Sequence, residues 1–209
     1  MESNTAVIPV TSEQIDRRMS LLQAAFDVIA ERGFEGLRTR VVAERAGVNV
    51  ATLHYYFPTK TALVGALAMF LGQKFATLHA PPPISTGFAS WDRLRQEFAD
   101  IRYYQDECPG LTSVMAELGL RGQRDPAVKA VMDSMKPFWR RGLEEIVKAG
   151  VADGTFHSEL DVAPTTTALM ALLSGASAFN KEELKEVEQS VEHWLLNPEI
   201  RSREKVNEH

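Results

Sequence analysis

The chain has 209 residues, 44% of them apolar, and a net charge of −5. That suffices to bury a core in one large or two smaller helical domains, and no run approaches the ~18 uninterrupted apolar residues of a membrane span. A single cysteine, Cys108, excludes an internal disulfide and any multi-cysteine metal site. The histidines, His54, His79, His157, His193 and His209, stand in no metal-ligand spacing, so neither a metal nor another cofactor is expected. The opening MESNTAVIPV has neither the basic start nor the apolar centre of a secretory signal, and the reading is a cytoplasmic protein with no membrane partner.

Strand signals are scarce and helix signals run throughout. Thr11-x-x-Gln14 is a capping box opening a helix with Met19, Leu22, Phe26 and Ile29 on one stripe, closed by Gly33. Thr39 is expected to cap a second helix bearing Val42, Ala43 and Ala46, ended by a left-handed Gly47. Asn49 caps a third that Pro58 stops, and Thr59 caps a long apolar fourth helix through Leu63, Leu67, Phe70, Leu71 and Phe75. The prolines of APPPISTG, residues 80 to 87, break the chain, and they are expected to let the fourth helix move without dragging the fifth.

Helical periodicity resumes at Trp91, Leu94, Phe98 and Ile101, and again from Leu111 to Leu120. Asp125-Pro126 opens a helix to about Val151, with Pro137 expected to kink it and Gly154 to end it. Asp161 caps a helix to about Phe179, and Asn180-x-x-Glu183 opens a last one carrying Leu184, Val187, Val191 and Trp194 until Asn197-Pro198. The expected fold is all-α: nine helices in two domains, residues 12–60 and 61–200, with the first dozen and last eight or so residues disordered.

Residues 39 to 60, TRVVAERAGVNVATLHYYFPTK, carry the functional signal. Two short helices joined by a glycine-containing turn form a helix-turn-helix, whose second helix enters the DNA major groove. Ala43, Gly47, Val48 and Leu53 are the inward positions, which leaves Asn49, Val50, Ala51, Thr52, Tyr55 and Tyr56 to meet DNA. Charge agrees: residues 1 to 60 carry seven Lys/Arg against seven Asp/Glu, so the whole deficit lies in residues 61 to 209 and the acidic bulk is not the nucleic-acid surface. Thr39, Arg40 and Lys60 stand at helix starts where a backbone phosphate can be held. Phe57 is read as core, and Arg17, Arg18, Arg38 and Arg45 as solvated.

The run Thr39, Ala46-Gly47-Val48, Leu53, His54-Tyr55-Tyr56-Phe57, Pro58-Thr59-Lys60 and Leu63 resembles the DNA-binding domain of the TetR family of bacterial transcriptional regulators over residues 15 to 70. His54 departs from the tyrosine expected there, although an imidazole can still donate one hydrogen bond to a phosphate. The resemblance implies a regulator, read as a repressor released by a small-molecule effector, with a ligand-binding and dimerisation body behind the DNA-binding domain. An activator or ligand-independent DNA binder of the same fold is the alternative.

For that body, the small residues SGASA at 174 to 178 and the apolar face of the last helix suit a homodimer through the last two helices, which presents two recognition helices about 34 Å apart to a palindromic operator of double-stranded DNA. Phe70, Trp91, Phe98, Met115, Phe138 and Trp139 are candidate walls for a mainly apolar effector, with Arg102 a candidate polar contact. Cys108 has no histidine near it in sequence and reads as a small core residue, so no enzyme is expected.

Overall fold

The computed structural model describes residues 11–81, 83–176 and 178–207. Among these it holds ten α-helices and one 3-10 turn, and its only strand-like feature is an isolated antiparallel bridge between Phe156 and Leu196.

Local chemistry sets the helix starts of the N-terminal part. Helix α1, Ser12–Arg32, opens with the reciprocal capping box of Thr11 and Gln14, and Gly33 leaves it at φ 67°. A 3-10 turn, Phe34–Gly36, leads into α2, Thr39–Arg45, then α3, Val50–Tyr56, and α4, Lys60–Thr77. Neither seven-residue helix would persist alone. Both are held because Val42, Ala43 and Leu53 are sealed in one core with Leu21, Leu22, Val28 and Ile29 of α1 and Leu63, Leu67 and Leu71 of α4. At roughly 1.5–3 kcal/mol for each fully buried large side chain, this packing outweighs the short helices' weak intrinsic stability.

The larger part comprises α5, Ala89–Glu107, α6, Leu111–Gly122, α7, Pro126–Ala152, α8, Val162–Ala176, α9, Lys181–Leu195, and α10, Pro198–Asn207. A second core joins Trp91, Leu94 and Phe98 of α5 to Leu143, Ile146 and Val147 of α7, Leu169 and Leu173 of α8, and Leu184, Val191 and Leu195 of α9. The first core does not stop at α4. It takes in Tyr104 of α5, Leu111, Val114 and Leu118 of α6 and Val128 of α7, so the body shares a core with α1 and α4, the helices that flank the helix-turn-helix.

Several expectations are corrected. Arg38, not Thr39, is the cap residue of α2, and its side chain makes no capping bond; Thr39 is the first helical residue. Met19 is 37% exposed because it lies two residues before the buried stretch that begins at Leu21. Helix α8 ends at Ala176, where Ala178 and Phe179 donate backbone bonds to Gly175 and Ala176 and tighten the chain into turns. A tenth helix replaces most of the expected C-terminal tail: Asn197 accepts the Glu199 N–H at 3.1 Å, so Asn197-Pro198 ends one helix and starts the next. The expected disorder of residues 1–10 and 208–209 lies outside the described residues.

The proline stretch is also not a free joint. Asp100, only 6% exposed on α5, accepts bonds from the backbone N–H of Ala80, from Gln96 Nε2 and from His79 Nδ1, each at 2.7 Å. Gln96 donates in turn to the Ala80 carbonyl, and the Tyr104 hydroxyl donates to the Leu78 carbonyl at 2.7 Å. Ile84 and Thr86 are bonded to Gln96 and Asp92. The chain leaving α4 is therefore fastened to α5 rather than released from it.

Candidate DNA-binding interface

The turn between α2 and α3 closes as a Schellman motif: Val48 N–H donates to the Ala43 carbonyl at 2.9 Å and Gly47 N–H to the Glu44 carbonyl at 3.1 Å. Gly47 sits at φ 68°, the left-handed region that a Cβ disfavours. Asn49 then accepts the Thr52 N–H at 2.8 Å and the Thr52 hydroxyl at 3.0 Å, starting α3.

Burial divides α3 in two. Leu53, and Phe57 just after the helix, are sealed in the first core, and Val50 and Tyr56 pack half-buried against it. Ala51, His54 and Tyr55 are exposed, with Tyr55 at 71% and its ring edge-on to Tyr56, 5.1 Å between centroids. Asn49 is exposed and Thr52 half-buried. The expected outward residues thus share one end of the molecule, but Val50 and Tyr56 are partly engaged inward, and the Thr52 hydroxyl is already bonded to Asn49.

Arg40 at the start of α2 and Lys60 at the start of α4 are exposed, and Thr39 is half-buried. The Lys60 ammonium lies over the Phe34 ring, 4.9 Å from its centroid. Burial, and secondarily the charge of Arg121, hold its pKa below the ordinary lysine value. Two arginines expected to be solvated have partners. Arg45 forms a forked bond to Glu31 of α1 at 2.5 and 2.6 Å, which raises its own pKa and lowers that of Glu31. Arg18 stands over the Phe57 ring at 5.3 Å.

The candidate effector residues do not gather at one place. Phe70 belongs to the first core; Trp91 and Phe98 are fully buried in the second. Met115 and Trp139 are half-buried against different cores, with Trp139 Nε1 3.5 Å from Glu97. Arg102 is engaged with Glu188 of α9 at 2.6 Å. Phe138, 75% exposed, lies on the outer surface, because the apolar stripe of α7 turns inward at other positions. Sequence periodicity missed the Phe34 ring beneath Lys60; the only local sign was an aromatic in the Gly33–Gly36 turn.

A short helix presented outward by a Schellman-closed turn, with an uncovered tyrosine and cations at neighbouring helix starts, defines a helix-turn-helix DNA-binding transcriptional regulator. Residues 21–67 match the sequence pattern of the bacterial regulatory proteins, tetR family. The chain is 29% identical over 161 residues to the transcriptional repressor KstR2 of Mycolicibacterium smegmatis, covering 72% of this chain and 73% of that one. It is 32% identical over 130 residues to the repressor KstR of the same organism, covering 58% and 62%. The fold superposes on a TetR transcription regulator of Haloarcula marismortui with a TM-score of 0.74, at 21% identity, covering 88% of this chain and all of the other. Residues 21–67 therefore carry the tetR-family pattern, and the chain as a whole is similar in fold to TetR regulators. Its relatives are transcriptional regulators, not enzymes. Among the described residues no group of three or more His, Cys, Asp and Glu could hold a metal ion, and no helix is long and apolar enough to cross a membrane.

Proposed function

We propose that this protein is a cytoplasmic repressor that binds a palindromic operator as a homodimer and leaves it when a small, mainly apolar effector occupies the helical body. The observation that carries the DNA reading is the outward face of α3 with Tyr55 uncovered at its centre and Arg40 and Lys60 at the adjoining helix starts. In this reading residues 12–60 bind DNA and residues 61–200 bind effector and partner. Thr39, Arg40, His54, Tyr55, Tyr56 and Lys60 face the phosphates, and Asn49, Val50, Ala51 and Thr52 the base edges. Hydrogen-bonded readout is thin on so apolar a face, so groove shape contributes to specificity. The relatives named as repressors support the direction of regulation.

The dimer reading is supported by a groove along α8 and α9 where Leu172, Phe179, Val187 and Trp194 stand beside Glu183, Glu186 and Ser190. Leu172, Phe179 and Trp194 are each 38–41% exposed there, an apolar surface that a second copy of the chain would cover.

The test is a titration of the protein against the duplex flanking its own gene and against random duplex, each at two salt concentrations. Tight, salt-dependent binding of the flanking duplex alone supports the reading; failure to bind any DNA, even after unfolding and refolding to strip bound ligand, refutes it. Sedimentation of wild type as a dimer and of Trp194→Asp as a monomer tests the interface.

A further inference from the structure

Beyond the shared core, helix α6 of the large body meets the helix-turn-helix end at one aromatic residue, Phe34. The Glu117 carboxylate accepts the backbone N–H of Phe34 at 2.5 Å, across 83 residues of sequence. That bond ties α6 to the turn where α1 gives way to α2. One turn further along α6, the Arg121 guanidinium lies 5.1 Å from the Phe34 ring centroid, and the Lys60 ammonium lies 4.9 Å from the same centroid. The electrostatics register the same proximity, because Arg121 is the leading charged group that lowers the Lys60 pKa, after burial.

We infer that Glu117 is a positioning residue for DNA binding: it holds Phe34 as a platform that directs Lys60 toward the phosphate backbone. The inference rests on the proposed phosphate role of Lys60. A lysine side chain is rich in rotamers, and a ring beneath its ammonium confines it near the pose in which it meets DNA. The tie connects α6 to the Lys60 platform directly, in addition to the packing of α6 on α4. Gly33 fits the same arrangement. Its φ of 67° aims the Phe34 N–H at α6, and a Cβ there would stand 3.3 Å from Glu117 Oε1.

The experiment measures the dependence of log K on log salt for the full-length protein on a random duplex of about 30 base pairs, since phosphate binding is independent of sequence. The variants are Lys60→Met, Phe34→Leu, Glu117→Ala and Glu117→Gln, with helicity and thermal midpoint recorded for each. Lys60→Met is expected to reduce the slope by about 0.9 for each phosphate it no longer neutralises, hence about 1.8 for a two-fold dimer. Phe34→Leu and Glu117→Ala are expected to remove at least half of that amount and to add nothing in combination with Lys60→Met. Glu117→Gln, whose amide oxygen still accepts from Phe34, is expected to keep the wild-type slope. A change in folding alone does not move the slope of the folded fraction, and if Phe34→Leu fails to fold the Glu117 pair decides the matter. A wild-type slope in Glu117→Ala beside a reduced slope in Lys60→Met overturns the positioning role and leaves DNA binding intact. A wild-type slope in Lys60→Met overturns the phosphate role and the positioning with it, and absence of any binding by wild type overturns the DNA reading itself.

Discussion

Replacing Asp100 with asparagine tests whether the chain leaving α4 is held by a charged clasp. The carboxylate accepts three bonds of 2.7 Å, from Ala80 N–H and Gln96 Nε2 at one oxygen and from His79 Nδ1 at the other. An asparagine oriented to keep the first two loses their charge assistance, about 1 kcal/mol each from the difference between charged and neutral hydrogen bonds. The His79 bond contributes less, under about 1 kcal/mol, because that side chain is 57% exposed and screened by water. The relief of burying a neutral amide instead of a carboxylate offsets part of the loss, so the net destabilisation near pH 6 is about 1–2 kcal/mol, or roughly 2–8 °C in Tm for a chain of this size.

The pH dependence follows from two neighbours. The bond to Asp100 raises the His79 pKa above its ordinary value, against some desolvation. Stability from that protonated pair is complete below about pH 6.5 and is lost as pH rises through the raised folded value. Burial chiefly raises the Glu97 pKa, and the Asp100 charge adds to it, whereas the bond from Trp139 lowers it. A carboxyl shifted upward also loses its stabilising contribution as pH rises through the folded value, and asparagine at position 100 removes part of that shift. Both effects narrow the gap between wild type and variant at higher pH. Urea midpoints at pH 5.5 and 8.5, at one fixed protein concentration because dimerisation adds to stability, measure the gap directly. A gap equal at the two pH values refutes the charge-assisted clasp; His79→Gln should flatten the wild-type profile while keeping most of the stability.

Gly47→Ala meets no atom within 4 Å of the new Cβ, so its cost is the left-handed backbone alone, about 1 kcal/mol in thermal unfolding, and Gly47→Asn should recover most of it. Asn49→Ala removes the cap of α3 and should cost about 0.5–2 kcal/mol by calorimetry while weakening DNA binding, since the same change leaves the Thr52 hydroxyl without its partner. Gly150→Ala drives a Cβ into the buried Phe156 ring, and chemical denaturation should report a loss of about 1–3 kcal/mol, with the ring's displacement visible in near-ultraviolet circular dichroism.

The helix starts and the helix-turn-helix were legible in the chain because their causes are local. Thr11, Asn49, Thr59, Asp125 and Asn180 each accept a backbone N–H two or three residues on, and the left-handed Gly47 closes α2 within a span of six residues. The same local logic was misapplied at Asn197-Pro198, where a stop for α9 is also a cap and first residue for α10. Periodicity located the apolar stripes but not which positions would be covered: Met19 and Trp194 continue helical stripes yet are exposed, and Phe138 is open to solvent, because burial depends on where a partner helix ends. Sequence alone therefore determined the all-α class and the two short helices with the glycine turn between them. Only the tertiary structure decided that Asp100 clasps the proline segment, that α6 packs on α1 and α4 and that Phe34 lies between Lys60 and Glu117. Those pairings join residues 20 to 83 positions apart, and no propensity or spacing along the chain encodes which distant side chains will meet.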